Sequence, residues 1–437
     1  MKMRSFLIFT ILGFVFFSCA GNPDAYAPID QGIETGSYDE AIATINDEKG
    51  EARKSIYTTK NEILFYLDRG MIHHYAGQYR ESSEDLEMAE RLIEEAFTKS
   101  VSQEVGSFIM NDNTKDYAGE DYEDLYVNVF NALNYYHNND IEGALIEVRR
   151  INEKLIYLAD KYEAAKEKVL ESNKQVDPNK LPVEATKYSH SALARYLGLL
   201  FYRGSGDPDN ARIDYEELQK AYELSPNIYT NNMPSSVENE LSVPPGKGRL
   251  NIMAFTGLSP VKEQEVITIP LPFEFPNNTA KLAFPKMVDR GSEVQTVELV
   301  LDSGEKFKLE LLENMGTVAQ ETFKARYSLI VLKTTARAIT KAAIAATSAK
   351  AANSRAGGLG SLVGLAGKIA ADASEQADVR LGRYFPCYAL VGGINLDPGN
   401  YQATVNYYGG GSIVHSESRD VEIRDNALNL EQFFYLK

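Results

Sequence analysis

Apolar residues recur at helical spacing through residues 32–226, with few prolines to interrupt them. Because residues three and four apart share one face of an α-helix, this pattern predicts a series of amphipathic helices. After Gly248 the pattern changes to short runs rich in β-branched residues, which are typical of strands. Between these regions, residues 227–248 carry several prolines among Asn and Ser and predict a linker. We therefore expect a multidomain protein with a helical N-terminal half and an α+β C-terminal half.

One helical unit, at residues 64–90, has the residue spacing of a tetratricopeptide repeat. The matching positions are Tyr66, Gly70, Gly77, Tyr79, Ser82, Leu86 and Ala89. Small side chains at Gly70 and Ser82 would let two antiparallel helices approach closely, while larger side chains fill the space between them. Weaker copies have their small residue at Ala41, Ala144 and Ala211. Their spacing is wider than the roughly 34 residues of a regular array. We therefore expect a tetratricopeptide-like α-solenoid at 19–226, with extra helices between its repeats.

The C-terminal half, residues 249–437, is expected to contain short strands around a long Ala-rich segment. The predicted strands are 294–300, 306–312, 401–407, 412–415, 421–424 and 432–436. The first two flank Asp302-Ser303-Gly304, which predicts a β-hairpin. Thr317 is placed to cap a long helix, and the glycines of 357–367 predict a turn into a second one. A helical hairpin at about 317–377 follows from this pattern.

The beginning of the chain has the form of an export signal. A basic start precedes an apolar run of about a dozen residues, which is too short for a membrane span of roughly 20. Phe16-Phe17-Ser18-Cys19 resembles a bacterial lipobox, in which the cysteine thiol receives a diacylglycerol group before cleavage. Residues 1–18 are therefore predicted to be a signal peptide and Cys19 the acylated anchor. The residue after Cys19 is Ala20 and not Asp, which favours a location at the outer membrane, facing the periplasm. The alternative is an ordinary signal peptide with an incidental cysteine.

Composition excludes several functional classes. The 437-residue chain has a formal net charge of −17, which disfavours nucleic-acid binding because such binding depends on Lys and Arg contacting phosphates. Two cysteines, Cys19 and Cys387, and five histidines are too few for a disulfide framework or a thiolate zinc site. Gly367-Lys368 fails as a phosphate-binding loop because Leu362 and Ile369 stand where Gly and Ser or Thr are needed. We predict no catalytic group, metal or cofactor, and no enzymatic activity.

One segment reverses the overall charge. Residues 322–371 contain eight basic residues and no acidic one. Lys333, Arg337 and Lys341 are four apart and therefore stack on one helical face. This face either lies against the protein's own acidic helices or contacts an anionic surface such as lipid headgroups. The second possibility would make the chain a membrane-active or pore-associated envelope protein.

A polar stripe marks a candidate partner-binding site. Asn128, Asn131 and Asn134 recur every three residues in a segment otherwise rich in Tyr, Phe and Leu, and Arg149 follows on the paired helix. Buried amides are unfavourable unless they are hydrogen-bonded. The stripe should therefore either bond to neighbouring segments or face a groove that binds a peptide.

Short motifs spread over most of the chain carry a family resemblance. They are Gly77-Gln78-Tyr79, Asn134-Tyr135-Tyr136, Glu142-Gly143-Ala144, Val148-Arg149-Arg150-Ile151-Asn152, Asp214-Tyr215, Ala221-Tyr222-Glu223-Leu224, Gly257-Leu258-Ser259-Pro260 and Ala377-Asp378-Val379-Arg380 before Pro386. Together they resemble a family of uncharacterised bacterial lipoproteins with degenerate tetratricopeptide repeats. Such lipoproteins are often encoded beside lipoproteins that activate peptidoglycan synthases. The resemblance thus implies a protein-interaction scaffold in cell-envelope assembly, with envelope proteins as partners, and supplies no catalytic residue.

Overall fold

A computed structural model of the chain describes residues 23–102, 115–158, 160–172, 186, 188–270, 279–355 and 376–437. Within these ranges the protein is a mixed α and β structure with several helices and sheets. The predicted signal peptide, Cys19 and the glycine-rich turn of the predicted hairpin lie outside the described residues, as does most of the hairpin's second helix.

Helices dominate the N-terminal half, as the apolar spacing predicts, and α11 lies in the C-terminal half. The described α-helices are α1 (Pro23–Thr35), α2 (Tyr38–Asn46), α3 (Glu51–Ser55), α4 (Glu62–Tyr75), α5 (Tyr79–Ser102), α6 (Asp121–His137), α7 (Ile141–Leu158), α8 (Glu163–Ser172), α9 (Ala192–Gly204), α10 (Pro208–Leu224) and α11 (Met315–Arg355). Four pairs, α1/α2, α4/α5, α6/α7 and α9/α10, are joined by short turns and pack as hairpins. Helices α3 and α8 stand between these pairs.

The close helix packing predicted at Gly70 is confirmed. A Cβ atom at this position would lie 2.8 Å from the Leu86 Cδ2 atom of α5, and the Ser82 hydroxyl donates to the Gly70 carbonyl over 2.8 Å. Gly198 has the same role between α9 and α10, where a Cβ atom would overlap the Asp214 carboxylate. Small residues thus set the separation of both helix pairs.

Strands follow from Gly248 onward. They are β1 (Gly248–Leu258), β2 (Val261–Pro270), β3 (Thr279–Val288), β4 (Thr296–Leu301), β5 (Lys306–Lys308), β6 (Glu310–Asn314), β7 (Pro386–Leu396), β8 (Gly399–Gly409), β9 (Ser412–Ile423) and β10 (Leu428–Tyr435). Sheet A has the order β10-β1-β7-β6, sheet B has the order β5-β4-β8-β9, and β2 pairs with β3 in a ribbon. Strands β1 and β10 are parallel, and the other described pairs are antiparallel.

The strands differ from the prediction in length and number. The hairpin around Asp302-Ser303-Gly304 is confirmed, with Val300 opposite Lys306. Strand β9 continues through 412–423, where two separate short strands were expected. Most β9 residues alternate between exposed and partly buried positions, so the apolar run breaks although the backbone pairing with β8 continues. The segment predicted as one strand at 306–312 divides between β5 in sheet B and β6 in sheet A.

Sheet A lies between the helices and sheet B. Leu250 and Ile252 of β1 belong to the apolar core shared with sheet B, whereas Met253 and Phe255 belong to the core shared with the helices. Strand β1 is therefore buried on both faces. Such a strand lacks the alternation of apolar and polar residues that identifies a strand in sequence, which is why it was not predicted.

The segment predicted as a linker, 227–248, is exposed at about half of its residues, while Tyr229 and Val237 are buried. It contains a short 3₁₀ helix, Ser235–Asn239, and the fully buried Glu240. The Glu240 carboxylate accepts hydrogen bonds from Arg203 of α9, from Arg249 Nε over 2.8 Å and from Asn251 Nδ2 over 2.8 Å. A buried charge is unfavourable without such partners, and the partners of Glu240 come from α9 and β1. Glu240 therefore joins this helix to this strand.

Residues 377–385, here called the connector, have no regular secondary structure and lead into β7. Buried carboxylates of the helices accept hydrogen bonds from the backbone of the connector. Asp68 of α4 accepts from the Arg383 N–H over 2.7 Å, and Glu123 of α6 accepts from the Gly382 N–H. Burial raises the pKa of Asp68 to about 7, against the opposing effect of the hydrogen bonds from Arg383 and Tyr57. The connector is thus fixed by carboxylates that the fold makes harder to ionise.

Replacing Asp68 with Asn should change how stability depends on pH. Because the folded-state pKa of Asp68 is raised from 3.8 to about 7, its contribution to stability is full below the unfolded pKa and is lost as the pH rises through about 7. In Asp68→Asn the amide oxygen still accepts from the Arg383 N–H but does not ionise. Between about pH 5 and about pH 8, the free energy of unfolding of wild type should therefore fall by on the order of a few kcal/mol relative to the variant.

Urea unfolding of both proteins at the two pH values measures this difference. Asp209→Asn, which removes an exposed carboxylate of α10, is the control for the loss of one charge. The same pH dependence in wild type and Asp68→Asn would contradict the assignment of Asp68.

Candidate functional site

A groove runs between α5 and α7 and is here called the acidic groove. Its volume is about 830 Å³, and of its described lining side chains seven are acidic and three are basic. Glu87 and Glu94 of α5 line one side, and Glu142 and Glu153 of α7 line the other. The groove therefore offers a negative surface within the N-terminal helices.

Buried carboxylates form the floor of the groove. Asn128 of α6 donates from Nδ2 to Glu90 over 2.8 Å and to Glu147 over 2.6 Å. Arg150 lies 3.0 Å from Glu147 and 3.2 Å from Glu90. Lys154 Nζ contacts Glu90 at 2.7 Å. Three helices are thus joined by one hydrogen-bonded network beneath the groove.

The two floor carboxylates differ in their protonation behaviour. Burial acts to raise the pKa of Glu90, but Lys154, Asn128 and Arg150 outweigh burial, so this pKa is lowered. For Glu147 burial dominates and raises the pKa, despite the hydrogen bond from Asn128 and the charge of Arg150. Glu90 and Asp124, each 2.7 Å from Lys154 Nζ, together pair with this partly buried lysine.

Apolar side chains interrupt the acidic surface on α7. Ile146 is 47% exposed and Tyr157 is 70% exposed, and both line the groove. They are eleven residues apart, close to three helical turns, so they lie on the same face as Arg150 and Glu153. The groove therefore combines two exposed apolar side chains with a charged border.

The predicted asparagine stripe does not face this groove or any other surface. Asn128, Asn131 and Asn134 are fully buried, so the interpretation that they contact a partner is wrong. Asn134 donates to Ser82 over 2.8 Å and accepts from His74 Nδ1 over 2.6 Å. The alternative of internal bonding therefore describes Asn128 and Asn134, because α6 is covered by α4, α5 and α7.

Asn131 and Arg149 differ from the other members of the predicted site. The Asn131 amide has no hydrogen-bond partner among the residues that the structure describes. Arg149 is exposed on α7 and donates from Nε to the Leu145 carbonyl over 3.2 Å. It remains available on the surface of the same helix, although it does not line the groove.

The basic face predicted on α11 is turned inward at the residues that are described. Arg337 is only 4% exposed and Lys333 is partly buried, and both line a cavity between α11 and α8. The prediction that Arg337 contacts an external anionic surface is therefore wrong. Apolar side chains of α11, including Leu329 and Ile339, pack on Val169 of α8 and turn this face toward the protein. The Lys341 side chain lies outside the described part of the structure.

Sequence reasoning missed the residues that form the groove floor. Glu147, Arg150 and Lys154 are spaced three and four apart, which places them on one face of α7. That spacing was available in the sequence, but it is equally typical of solvated helix surfaces. Only the packing of α5 against α6 brings Glu90 to the same place.

Two further observations bear on the site. Within the described ranges, no three His, Cys, Asp or Glu side chains are grouped as a metal site would require. None of the described helices is both long enough and apolar enough to cross a membrane.

Comparison with known proteins identifies no relative. No protein-family model matches the chain, and no curated protein or solved structure shows significant similarity to it.

The buried amides should respond differently to replacement by a residue of similar size. Asn134→Leu should lower the free energy of unfolding by about 1–3 kcal/mol, because His74 and Ser82 lose a buried partner. Asn131→Leu should leave the free energy unchanged or raise it, because it removes an amide without a partner among the described residues. Urea unfolding measures both values. A loss in Asn131→Leu as large as that in Asn134→Leu would contradict the assignment.

Proposed function

We propose that the chain is a membrane-anchored, periplasm-facing lipoprotein that acts as a protein-interaction scaffold in cell-envelope assembly, with peptidoglycan synthesis as the favoured context. The lipobox at Cys19 supports export and anchoring at the outer membrane. The acidic groove with its exposed Ile146 and Tyr157 is the observation that carries the interaction role. The motifs that resemble uncharacterised lipoproteins support the envelope context.

The helix pairs support a tetratricopeptide-like solenoid for the N-terminal half. Small residues at Ala41, Ser82, Ala144 and Ala211 are fully buried in the second helix of four successive pairs. Repeats of this type present a concave surface on which partner peptides bind. We also propose two domains, a helical repeat domain at 19–226 and an α+β domain at 249–437.

The charge of the groove indicates the chemistry of its partner. A negative surface favours a positive partner, because complementary charges speed association and exclude partners of like charge. Ile146 and Tyr157 provide apolar contacts, and an aromatic side chain is a frequent centre of binding energy. The favoured occupant is therefore an amphipathic segment that carries Lys or Arg beside apolar residues.

The anchor would act by raising the effective concentration of the groove. A protein held at the membrane by acyl chains meets a membrane-associated partner far more often than a free protein does. Anchoring and groove would together restrict the interaction to one surface of the envelope.

The alternative, a membrane-active or pore-associated protein that uses the segment 317–377, has less support. Its basis was an outward basic face, and Arg337 is buried against the rest of the chain.

Reversing the charge of the groove border should reduce partner binding. Glu142 and Glu153 are exposed, and in Glu142→Lys/Glu153→Lys each reversal should weaken binding by on the order of 0.5–1 kcal/mol, so that crosslinked partner falls about tenfold. The measurement is crosslinking in cells of the lipidated protein, followed by mass spectrometry. Glu223→Lys/Glu238→Lys makes the same charge change at exposed positions outside the groove and should keep the partners.

A Cys19→Ser variant in the same experiment tests the anchor. Loss of discrete envelope partners in this variant would support tethering. Equal partner recovery from the groove variant and its control, or no envelope protein crosslinked to the wild-type protein, would overturn the proposed function.

A further inference from the structure

Strand β9 is the last strand of sheet B, and the described residues place no further strand beside it. The order of the sheet is β5-β4-β8-β9, and β9 pairs with β8 throughout its length. With 12 residues it is long for a strand, since most have about five or six. An edge strand leaves a row of backbone N–H and C=O groups without ladder partners. A long edge of this kind is a surface on which another strand can pair.

The neighbouring strands show which backbone groups of β9 face this open edge. The Asp302 N–H donates to the Gln402 carbonyl, so Gln402 and every second residue of β8 after it point toward β4. The residues between them, such as Val405, therefore point toward β9. Val405 lies opposite Glu417, so the backbone of Glu417 is turned toward β8.

The alternate residues of β9 are turned the other way. The N–H and C=O groups of Ser416, Ser418 and Asp420 point to the open edge, where the described strands offer them no partner. The side chains of these three residues are exposed on the outer face of the sheet. The open edge is therefore polar in its backbone and lined by small or charged side chains.

The charges of β9 are arranged so that two copies of the strand complement each other in antiparallel orientation. In a pair with its two-fold axis at Ser418, Glu417 of each copy lies opposite Arg419 of the other. These positions are non-hydrogen-bonded ones, at which opposite Cα atoms are only about 4.5 Å apart. Opposite charges across such a position stabilise the pairing, and the symmetry makes the contact twice.

Both charges are accessible in the single chain. Arg419 lies 2.6 Å from Glu417 of the same strand, and their side chains are 38% and 31% exposed. Arg419 also donates to the Gln432 carbonyl of β10 over 2.8 Å. A guanidinium has more N–H groups than these acceptors use, so it can bind a second carboxylate. Two such ion pairs would alternate in sign around the axis.

Other registers of the same pairing are less favourable. An axis at Glu417 or at Arg419 places that charge opposite its own copy, and an axis at Asp420 brings two carboxylates together. An axis at Ser416 extends the pairing toward the hairpin turn, where the register between β8 and β9 shifts. Charges on an edge strand usually oppose association, but here they favour one register, with the axis at Ser418.

We propose that the chain forms a two-fold symmetric dimer through antiparallel pairing of β9 with β9 of a second copy. Ser418 lies on the axis and exchanges both backbone hydrogen bonds with its own copy. The pairing joins sheet B of the two copies into one continuous sheet. This surface is separate from the acidic groove and does not depend on the proposed scaffold function.

Cysteine crosslinking tests the dimer and its register together. The full chain with Cys19→Ser keeps Cys387, which is buried, so a cysteine added on β9 is the accessible thiol. Opposite residues at a hydrogen-bonded position have Cα atoms about 5.5 Å apart, within the range of a disulfide. Oxidation of Ser418→Cys should therefore give a disulfide-linked dimer on a non-reducing gel.

Ser416→Cys is the matched control, because Ser416 is also an exposed serine on the outer face of β9. In the proposed pair its two copies are four residues apart along the strands, about 14 Å, which is too far for a disulfide. This variant should form little dimer. No crosslinking of Ser418→Cys, or crosslinking of Ser416→Cys to the same or a greater extent, would overturn the proposal.

Sedimentation analysis of the Cys19→Ser chain measures the association itself. Glu417→Arg and Arg419→Glu should each raise the Kd of the dimer at least about tenfold, because like charges then meet twice across the axis. The double variant Glu417→Arg/Arg419→Glu restores opposite charges and should recover most of the affinity. Failure of the double variant to associate more tightly than the single variants would contradict the pairing.

Ser418→Pro keeps the test decisive if a charge variant does not fold. Proline removes the N–H group that faces the open edge and no hydrogen bond to β8, so the sheet itself should persist. The folded variant, checked by circular dichroism, should be a monomer. A dimer that persists in Ser418→Pro would overturn the proposal. A parent chain that is monomeric throughout the micromolar range would also overturn it and would leave this edge to a strand of another protein.

Discussion

Three carboxylates on helices early in the chain, Asp30, Asp68 and Glu123, bind the irregular connector that precedes β7. Asp30 pairs with the Arg383 guanidinium at 2.6 Å, while Asp68 and Glu123 accept backbone N–H groups of the connector. A buried segment without helix or strand leaves its backbone polar groups without regular partners, so side chains must provide them. These contacts fix the start of β7, and β7 pairs with both β1 and β6 of sheet A. The attachment of the sheets to the helices consequently depends on a few carboxyl groups as well as on apolar packing.

Buried carboxylates recur as joints elsewhere in the protein. Glu240 joins α9 to β1, and Glu313 of β6 accepts hydrogen bonds from Tyr126 and Tyr229 at 2.8 and 2.7 Å. Tyrosine suits this role because its ring packs in the core while its hydroxyl donates to the carboxylate. Burial raises the pKa of Glu313, as it does for Asp68.

The helix pairs could be predicted because their information is local. Gly70, Ser82 and Leu86 are close in sequence, and their sizes alone imply two helices in close contact. The β4/β5 hairpin could be predicted for the same reason, since its turn residues lie between its strands. Strands β1 and β7 were not predicted, because β1 pairs with β10 and β7, which lie far away in sequence. A strand buried on both faces lacks the alternation of apolar and polar residues, so the pattern does not distinguish it from a buried helix.

The candidate sites, too, were determined partly by the sequence and partly by tertiary packing. The sequence alone determined that apolar residues at helical spacing would form packed helix pairs, and that the segment containing Lys333 and Arg337 would be basic. It did not determine which of these polar groups would be exposed. Tertiary packing decided that Asn128, Asn131 and Asn134 are buried, that Arg337 lines a cavity, and that Glu90 and Glu147 meet beneath a groove. Helical spacing specifies which residues share a face, but only the contact between elements distant in sequence specifies what that face touches.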